Sequence, residues 1–254
     1  MPTTTESSNG KLLIIIPGLT GHTQDNYVVS TAAALMPNYS QVCVYQYALV
    51  SEAQKCGRVD IMENLKFVIN DVSTKYPIIH CVGFSYGANQ LLYYVGSEGV
   101  NSKVQRAVVV SNPFSITKCS EMLSSFENWA LTRILKASIG RISNSFVGYD
   151  ISWKQVNKSR NMKEFDREFT TKVFGFKSVE QYHAEISSAQ FVDSVTVPTL
   201  AISSRDDTVS KFDAITFSDR ITYLITNLGG HNSFMDWRMR FWFLEPLNEY
   251  LSCS

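Results

Sequence analysis

The run Gly83-Phe84-Ser85-Tyr86-Gly87 places a serine two residues from a glycine on either side. An apolar block, Ile78 to Val82, precedes it, and a helical run, NQLLYYV, follows. A serine on a sharp strand-to-helix turn has its Oγ lifted off the sheet, and the flanking glycines keep strand and helix from colliding. The spacing alone is weak; its position between a strand and a helix gives it weight. Ser85 is therefore expected to be a nucleophile towards a carbonyl carbon.

A serine hydroxyl needs a base to take its proton, and the chain has 4 histidines. His80 lies within an apolar strand and reads as a core histidine, His183 falls in a later aromatic-rich stretch, and His22 follows the first strand. His231 sits in Leu228-Gly229-Gly230-His231-Asn232, after the apolar block Ile221 to Thr226, where a flexible Gly-Gly loop can bring an imidazole over the sheet's carboxyl edge. The acid that orients such an imidazole belongs between serine and histidine in the chain. Asp206 and Asp207 both fill that slot. Counting along the strand from Pro198 reaches Asp207, whereas counting back from Val209 reaches Asp206. Asp207 is the expected acid, with Asp206 left as a helix cap or a surface partner of Arg205. Acyl transfer also needs two N–H donors for the developing oxyanion. Tyr86, directly after the serine, supplies one, and Leu19 in Pro17-Gly18-Leu19-Thr20-Gly21 supplies the other.

These residues need a sheet beneath them. Leu12 to Ile16 is a short apolar block without alternation, ended by Pro-Gly, which reads as a central parallel strand. Similar blocks lie at Val42 to Tyr47, Ile78 to Val82, Val104 to Val110, Thr199 to Ser203 and Ile221 to Thr226. In GRVDIMENLKFVINDVSTKY the apolar positions Met62, Leu65, Ile69 and Val72 step by three and four, predicting an amphipathic crossover helix. Strands alternating with helices predict an α/β fold with a mostly parallel sheet and helices on both faces. Phe114 to Phe191 breaks the rhythm: it has a helical pattern at Cys119 to Leu135, many aromatics and no strong strand block. It is expected to be a helical lid, residues 114–191, inserted in a single domain spanning 1–254.

With 254 residues, 44% hydrophobic and 18% charged, the chain is long and apolar enough for one well-buried core. Lys plus Arg and Asp plus Glu balance at 23 each, which disfavours nucleic acid as a partner. Cys43 and Cys81 sit in strand-like runs as small hydrophobes, and five cysteines suggest no disulfide framework. No signal-like or bilayer-spanning apolar stretch is found, so a cytoplasmic location is expected, with any membrane contact peripheral.

PGLTGHTQDNYV, GFSYGAN, SNPF, EFDREFTTKVFGFKSVEQYHAEISS, PTLAISSRDDTVS and GGHNSF together span most of Lys11 to Phe234. In these stretches the chain resembles the YheT-like α/β-hydrolases, a family that includes fatty acid ethyl ester synthase/esterases and phospholipid- or acylglycerol-cleaving members. The resemblance implies the α/β-hydrolase fold, Ser85, Asp207 and His231 as a triad, a small-molecule or lipid ester as substrate, and no cofactor. Family members usually carry more sequence before the oxyanion loop, and His22 and Asn232-Ser233 stand where the family tends to have glycine or an apolar residue followed by glycine. His22, Phe174 and Phe176 are the expected substrate contacts. The reading is a serine esterase or lipase-like hydrolase of medium or long acyl esters. An acyltransferase using an alcohol acceptor, or a non-catalytic ligand binder on the same fold, are the alternatives.

Overall fold

A computed structural model describes residues 10–46 and 61–253. Six strands, β1 (Lys11–Ile16), β2 (Gln41–Val44), β3 (Ile78–Phe84), β4 (Arg106–Val110), β5 (Thr199–Ser204) and β6 (Thr222–Thr226), form one sheet in the order β2-β1-β3-β4-β5-β6. Every neighbouring pair is parallel. The expected strand end at Tyr47 and helix start at 57–60 lie outside the described residues.

The period of two along each strand divides the core. Leu12, Ile14 and Ile16 of β1 pack on one face with Leu65 and Ile69 of α2 (Ile61–Ser73) and Leu91 and Val95 of α3 (Tyr86–Glu98). Leu13 and Ile15 point to the other face, against Val28 and Leu35 of α1 (Asn26–Leu35) and Leu247 and Leu251 of the C-terminal helix Leu244–Ser252. The strands buried on both faces are the central ones. β2 is an edge strand whose residues are only exposed or half-buried, so Cys43 is exposed, contrary to its expected burial, while Cys81 in β3 is buried.

The chain leaves β1 towards β2 through α1 but leaves β3 towards β4 through α3, in the opposite direction along the sheet. Strand order therefore reverses between β1 and β3, the position where a parallel sheet opens a crevice at its carboxyl edge.

Between β4 and β5 the chain is helical and carries no strand. α4 (Ile116–Met122) and α5 (Ser125–Arg141) are followed by α6 (Trp153–Lys158). Next, α7 (Met162–Phe165) runs through a π-helical turn, Asp166–Thr170, into α8 (Thr171–Phe174), and α9 (Val179–Ile186) follows. The helical pattern expected at Cys119 to Leu135 is two helices, broken at Leu123 and Ser124, both extended. Ser124 caps α5: its hydroxyl accepts from Glu127 N–H at 3.2 Å, and the Glu127 carboxylate accepts from Ser124 N–H at 2.7 Å. Leu135, Ile139, Phe146, Phe165 and Phe169 give the insertion a core of its own. Leu19 and Phe174 pack against both this cluster and the sheet's core. Among the described residues no helix is long and apolar enough to cross a membrane.

Candidate active site

Ser85 joins β3 to α3 with φ 53° and ψ −120°, a conformation that side chains rarely adopt. Both neighbours hold it there: Ser85 N–H donates to Val110 of β4 at 2.8 Å, and Asn89 N–H of α3 donates to the Ser85 carbonyl at 3.0 Å. The turn closes only because its glycines lack Cβ atoms. At Gly83 a Cβ would lie 2.6 Å from Gly87 O, and at Gly87 it would overlap the carbonyl oxygens of Pro17 and Ile16.

The loop after β1 runs beside the serine. Gly18 is close enough that an added Cβ would stand 3.2 Å from Ser85 Cβ. Gly21 N–H donates to Gly18 O at 2.8 Å, and Gly18 N–H donates to the Tyr27 hydroxyl at 3.1 Å. Burial pushes the Tyr27 phenol up to about 12, which keeps that hydroxyl neutral.

His231 reaches the serine from the loop after β6. Its Nε2 lies 2.8 Å from Ser85 Oγ, and its Nδ1 lies 3.1 and 3.0 Å from the two oxygens of Asp207. The Asp207 side chain is 1% exposed and its Oδ1 also accepts from Val209 N–H at 2.9 Å and Ser210 N–H at 2.8 Å. Those bonds fix the carboxylate, and the carboxylate's acceptance fixes the proton on Nδ1, so Nε2 is left to face the serine as acceptor.

Asp206 turns the other way and accepts from Gly230 N–H at 2.9 Å. Burial raises its carboxyl, but the Gly230 N–H, the Ser204 hydroxyl and the Gly229 N–H outweigh this and hold it below the usual carboxylate range. Ser204 Oγ donates to Gly230 O at 3.1 Å, and Asn232 N–H donates to Ser111 Oγ at 3.1 Å. The Gly-Gly segment is thus pinned to the ends of β5 and β4 rather than flexible. Gly230 has φ +60°, which glycine adopts freely. The holding roles of Asp206, Ser204 and Ser111 are not apparent in the sequence, because they depend on which strand ends are neighbours.

Ser85, His231, Leu19 and Tyr86 line one cavity of about 510 Å³. Its other walls are mostly apolar side chains of the insertion, including Leu131, Leu135, Ile139, Phe165, Phe169 and Val173. Of the three expected substrate contacts, Phe174 lines it and the other two do not. His22 is exposed, where its N–H donates to Asp25 at 2.9 Å in a tight turn. Phe176 lies past Gly175, whose left-handed φ of 72° ends α8, and its ring packs on Tyr182 at 5.2 Å. His80 is a core histidine whose Nδ1 lies 2.8 Å from the Tyr39 hydroxyl. His183 is buried and bonded to Asp166 at 2.8 Å. Among the described residues no group of three or more His, Cys, Asp or Glu could hold a metal ion.

Residues 73–236 match the family model for the alpha/beta hydrolase fold. Phospholipase ABHD3 of Bos taurus is 27% identical over 252 residues, covering 91% of this chain and 60% of that protein. The Escherichia coli protein YheT is 25% identical over 224 residues, covering 75% of this chain and 66% of its own length. The chain thus spans about 60% of the length of the bovine phospholipase. Among solved structures, Est1E from Butyrivibrio proteoclasticus with ferulic acid bound superposes with a TM-score of 0.62 at 15% identity, covering 97% of this chain and 90% of that one. That likeness is one of fold.

Proposed function

The chain belongs to the α/β-hydrolase fold family, in its YheT-like group, and from that premise we propose that it is a serine hydrolase of carboxylic esters with medium or long acyl chains. The observation that carries the reading is the unbroken relay from Ser85 Oγ through both nitrogens of His231 to the buried Asp207. His231 Nε2 takes the hydroxyl proton as Ser85 Oγ bonds to the ester carbonyl carbon. Asp207 holds the imidazole in register and stabilises the imidazolium. The N–H groups of Leu19 and Tyr86 receive the oxyanion. As the tetrahedral intermediate collapses, the carbon–oxygen bond to the alcohol breaks and Nε2–H gives its proton to the departing oxygen. Water, deprotonated by the same nitrogen, then attacks the acyl carbon; the bond to Ser85 Oγ breaks, and Nε2–H returns its proton to Oγ as the acid leaves.

The acyl chain is assigned to the cavity under the insertion, which acts as a lid, because apolar walls reward each buried methylene. The phospholipase relative supports a lipid ester as the substrate class. The test is labelling of the folded protein by a fluorophosphonate probe, with turnover of 4-nitrophenyl octanoate followed in parallel. Stoichiometric labelling and turnover, both lost in Ser85→Ala, are expected. A folded wild-type protein that takes no label and turns over no ester would be a binder on this fold and not a hydrolase.

A further inference from the structure

One pair of ionisable side chains in the cavity wall takes no part in the relay. Asp166, in the π-helical turn, and His183, on α9, are 4% and 3% exposed, and His183 Nε2 lies 2.8 Å from Asp166 Oδ2. Thr170, also buried, donates its hydroxyl to Asp166 Oδ1 at 2.7 Å. All three line the same cavity as Ser85, between apolar neighbours such as Phe169, Val173 and Ile186. A carboxylate and an imidazole in such a wall cost desolvation that an apolar pair of like volume would not. The turn that carries Asp166 and Thr170 is a π-helix, an irregularity frequent at functional sites.

The bonding leaves one group to spare. Both Asp166 oxygens accept, and the bond at Nε2 leaves Nδ1 as the ring's remaining polar atom. Nδ1 has no partner among the described residues. A ring nitrogen beside a carboxylate suits a hydroxyl, which can donate or accept, and the carboxylate disfavours a carboxylate or phosphate ligand. We propose that the Asp166–His183 pair is a subsite that binds a hydroxyl group of the substrate inside the otherwise apolar cavity. The inference rests on the hydrolase reading only for its turnover arm.

The binding arm measures, by calorimetry, the affinity of 1,8-octanediol relative to 1-octanol for Ser85→Ala and for Ser85→Ala/His183→Phe. Losing one net hydrogen bond should lower the diol-to-alcohol ratio by about three- to tenfold in the double variant. His183→Gln, whose amide oxygen can accept, should keep part of the preference. If His183→Phe does not fold, Asp166→Asn replaces it, since an amide no longer fixes the proton on Nε2 and the ratio should again fall.

The turnover arm compares 4-nitrophenyl 8-hydroxyoctanoate with 4-nitrophenyl octanoate, and glycerol mono-octanoate with ethyl octanoate, in wild type and His183→Phe. A ratio that falls only in the first pair puts the hydroxyl on the acyl chain; one that falls only in the second puts it on the leaving alcohol. A changed diol ratio with no ester turnover by wild type would sink the hydrolase reading and leave the subsite standing. Turnover by wild type with every ratio unmoved in folded variants would overturn the subsite and reduce the pair to a strut between α9 and the π-turn.

Discussion

Asp206 and Asp207 are adjacent in the chain and divergent in contact: Asp207 accepts a hydrogen bond from His231 Nδ1–H, and Asp206 accepts one from Gly230 N–H in the loop that carries the histidine. The consequences of removing each charge should differ in kind. Asp207→Asn leaves the imidazole in the wrong tautomer and is expected to lower kcat by about 10⁴, as in the serine-protease template, with little change in melting temperature. Asp206→Asn keeps an oxygen for Gly230 and should cost less than about tenfold in kcat, since it weakens one charge-assisted bond at an exposed site. Steady-state kinetics on 4-nitrophenyl octanoate, with melting curves for both variants, decide it; a large loss confined to Asp206→Asn would exchange the roles. Ser85 and His231 are legible in the sequence because each sits at a punctuated strand end, and the strand register favours Asp207. The Asp166–His183 contact is not legible, since 17 residues and a π-turn separate the partners. His80 makes a separate prediction. Burial, then the positive charges of Lys11 and Arg106, push its imidazole down from 6.5 to about 4. The unfolded chain therefore binds this proton first as pH falls. Its contribution to stability is full above 6.5, is lost between 6.5 and about 4 at no more than about 1.4 kcal/mol per pH unit, and changes no further below. Urea unfolding of wild type and His80→Gln across this range should give a shallower pH slope in the variant; equal slopes would mean that His80 titrates normally.

At the scale of elements, β3 and α3 meet at an angle that depends on missing side chains. An ideal Cβ at Gly83 would lie 2.6 Å from Gly87 O and 2.7 Å from Ala88 Cα, both backbone atoms that cannot rotate aside. Gly83→Ala should therefore cost about 3 kcal/mol or more, by prying α3 off β3, and should reduce activity in whatever fraction still folds. Chemical denaturation gives the first quantity, and a variant as stable as wild type would show that the turn can relax. This joint is readable in the sequence, because an apolar strand, two glycines and a helical run surround one serine. The break between α4 and α5 is less so. Apolar period runs from Cys119 through Leu135, and that signal masks the Ser124-x-x-Glu127 capping box that starts a new helix within it. The exposure of β2 is likewise a matter of sheet order: an edge strand and a central strand can share the same apolar letters, and only pairing tells them apart.

For the whole molecule, the decisive relation is between two hydrophobic cores. One is bound to the sheet and the other belongs to the insertion, and Leu19 and Phe174 pack against both while lining the cavity that holds Ser85. The insertion's core includes the mutually packed Phe146 and Phe169, with ring centroids 4.9 Å apart, so its walls present a shaped apolar space. An acyl chain entering that space gains about 0.8 kcal/mol for each methylene fully buried, and kcat/KM should rise several-fold for each two carbons until the cavity of about 510 Å³ is filled. Phe174 and Phe176 separate this mechanism from a general loosening of the insertion. Phe174→Ala enlarges the cavity itself and should move the optimum to longer chains. Phe176→Ala removes a ring that is not part of the lining but backs Tyr182, which is; it should lower stability and move the optimum less than Phe174→Ala does. The measurement is kcat/KM for 4-nitrophenyl esters from acetyl to dodecanoyl in wild type and both variants. A flat wild-type series, or an optimum that moves with Phe176 and not with Phe174, would put the acyl chain somewhere other than under the insertion.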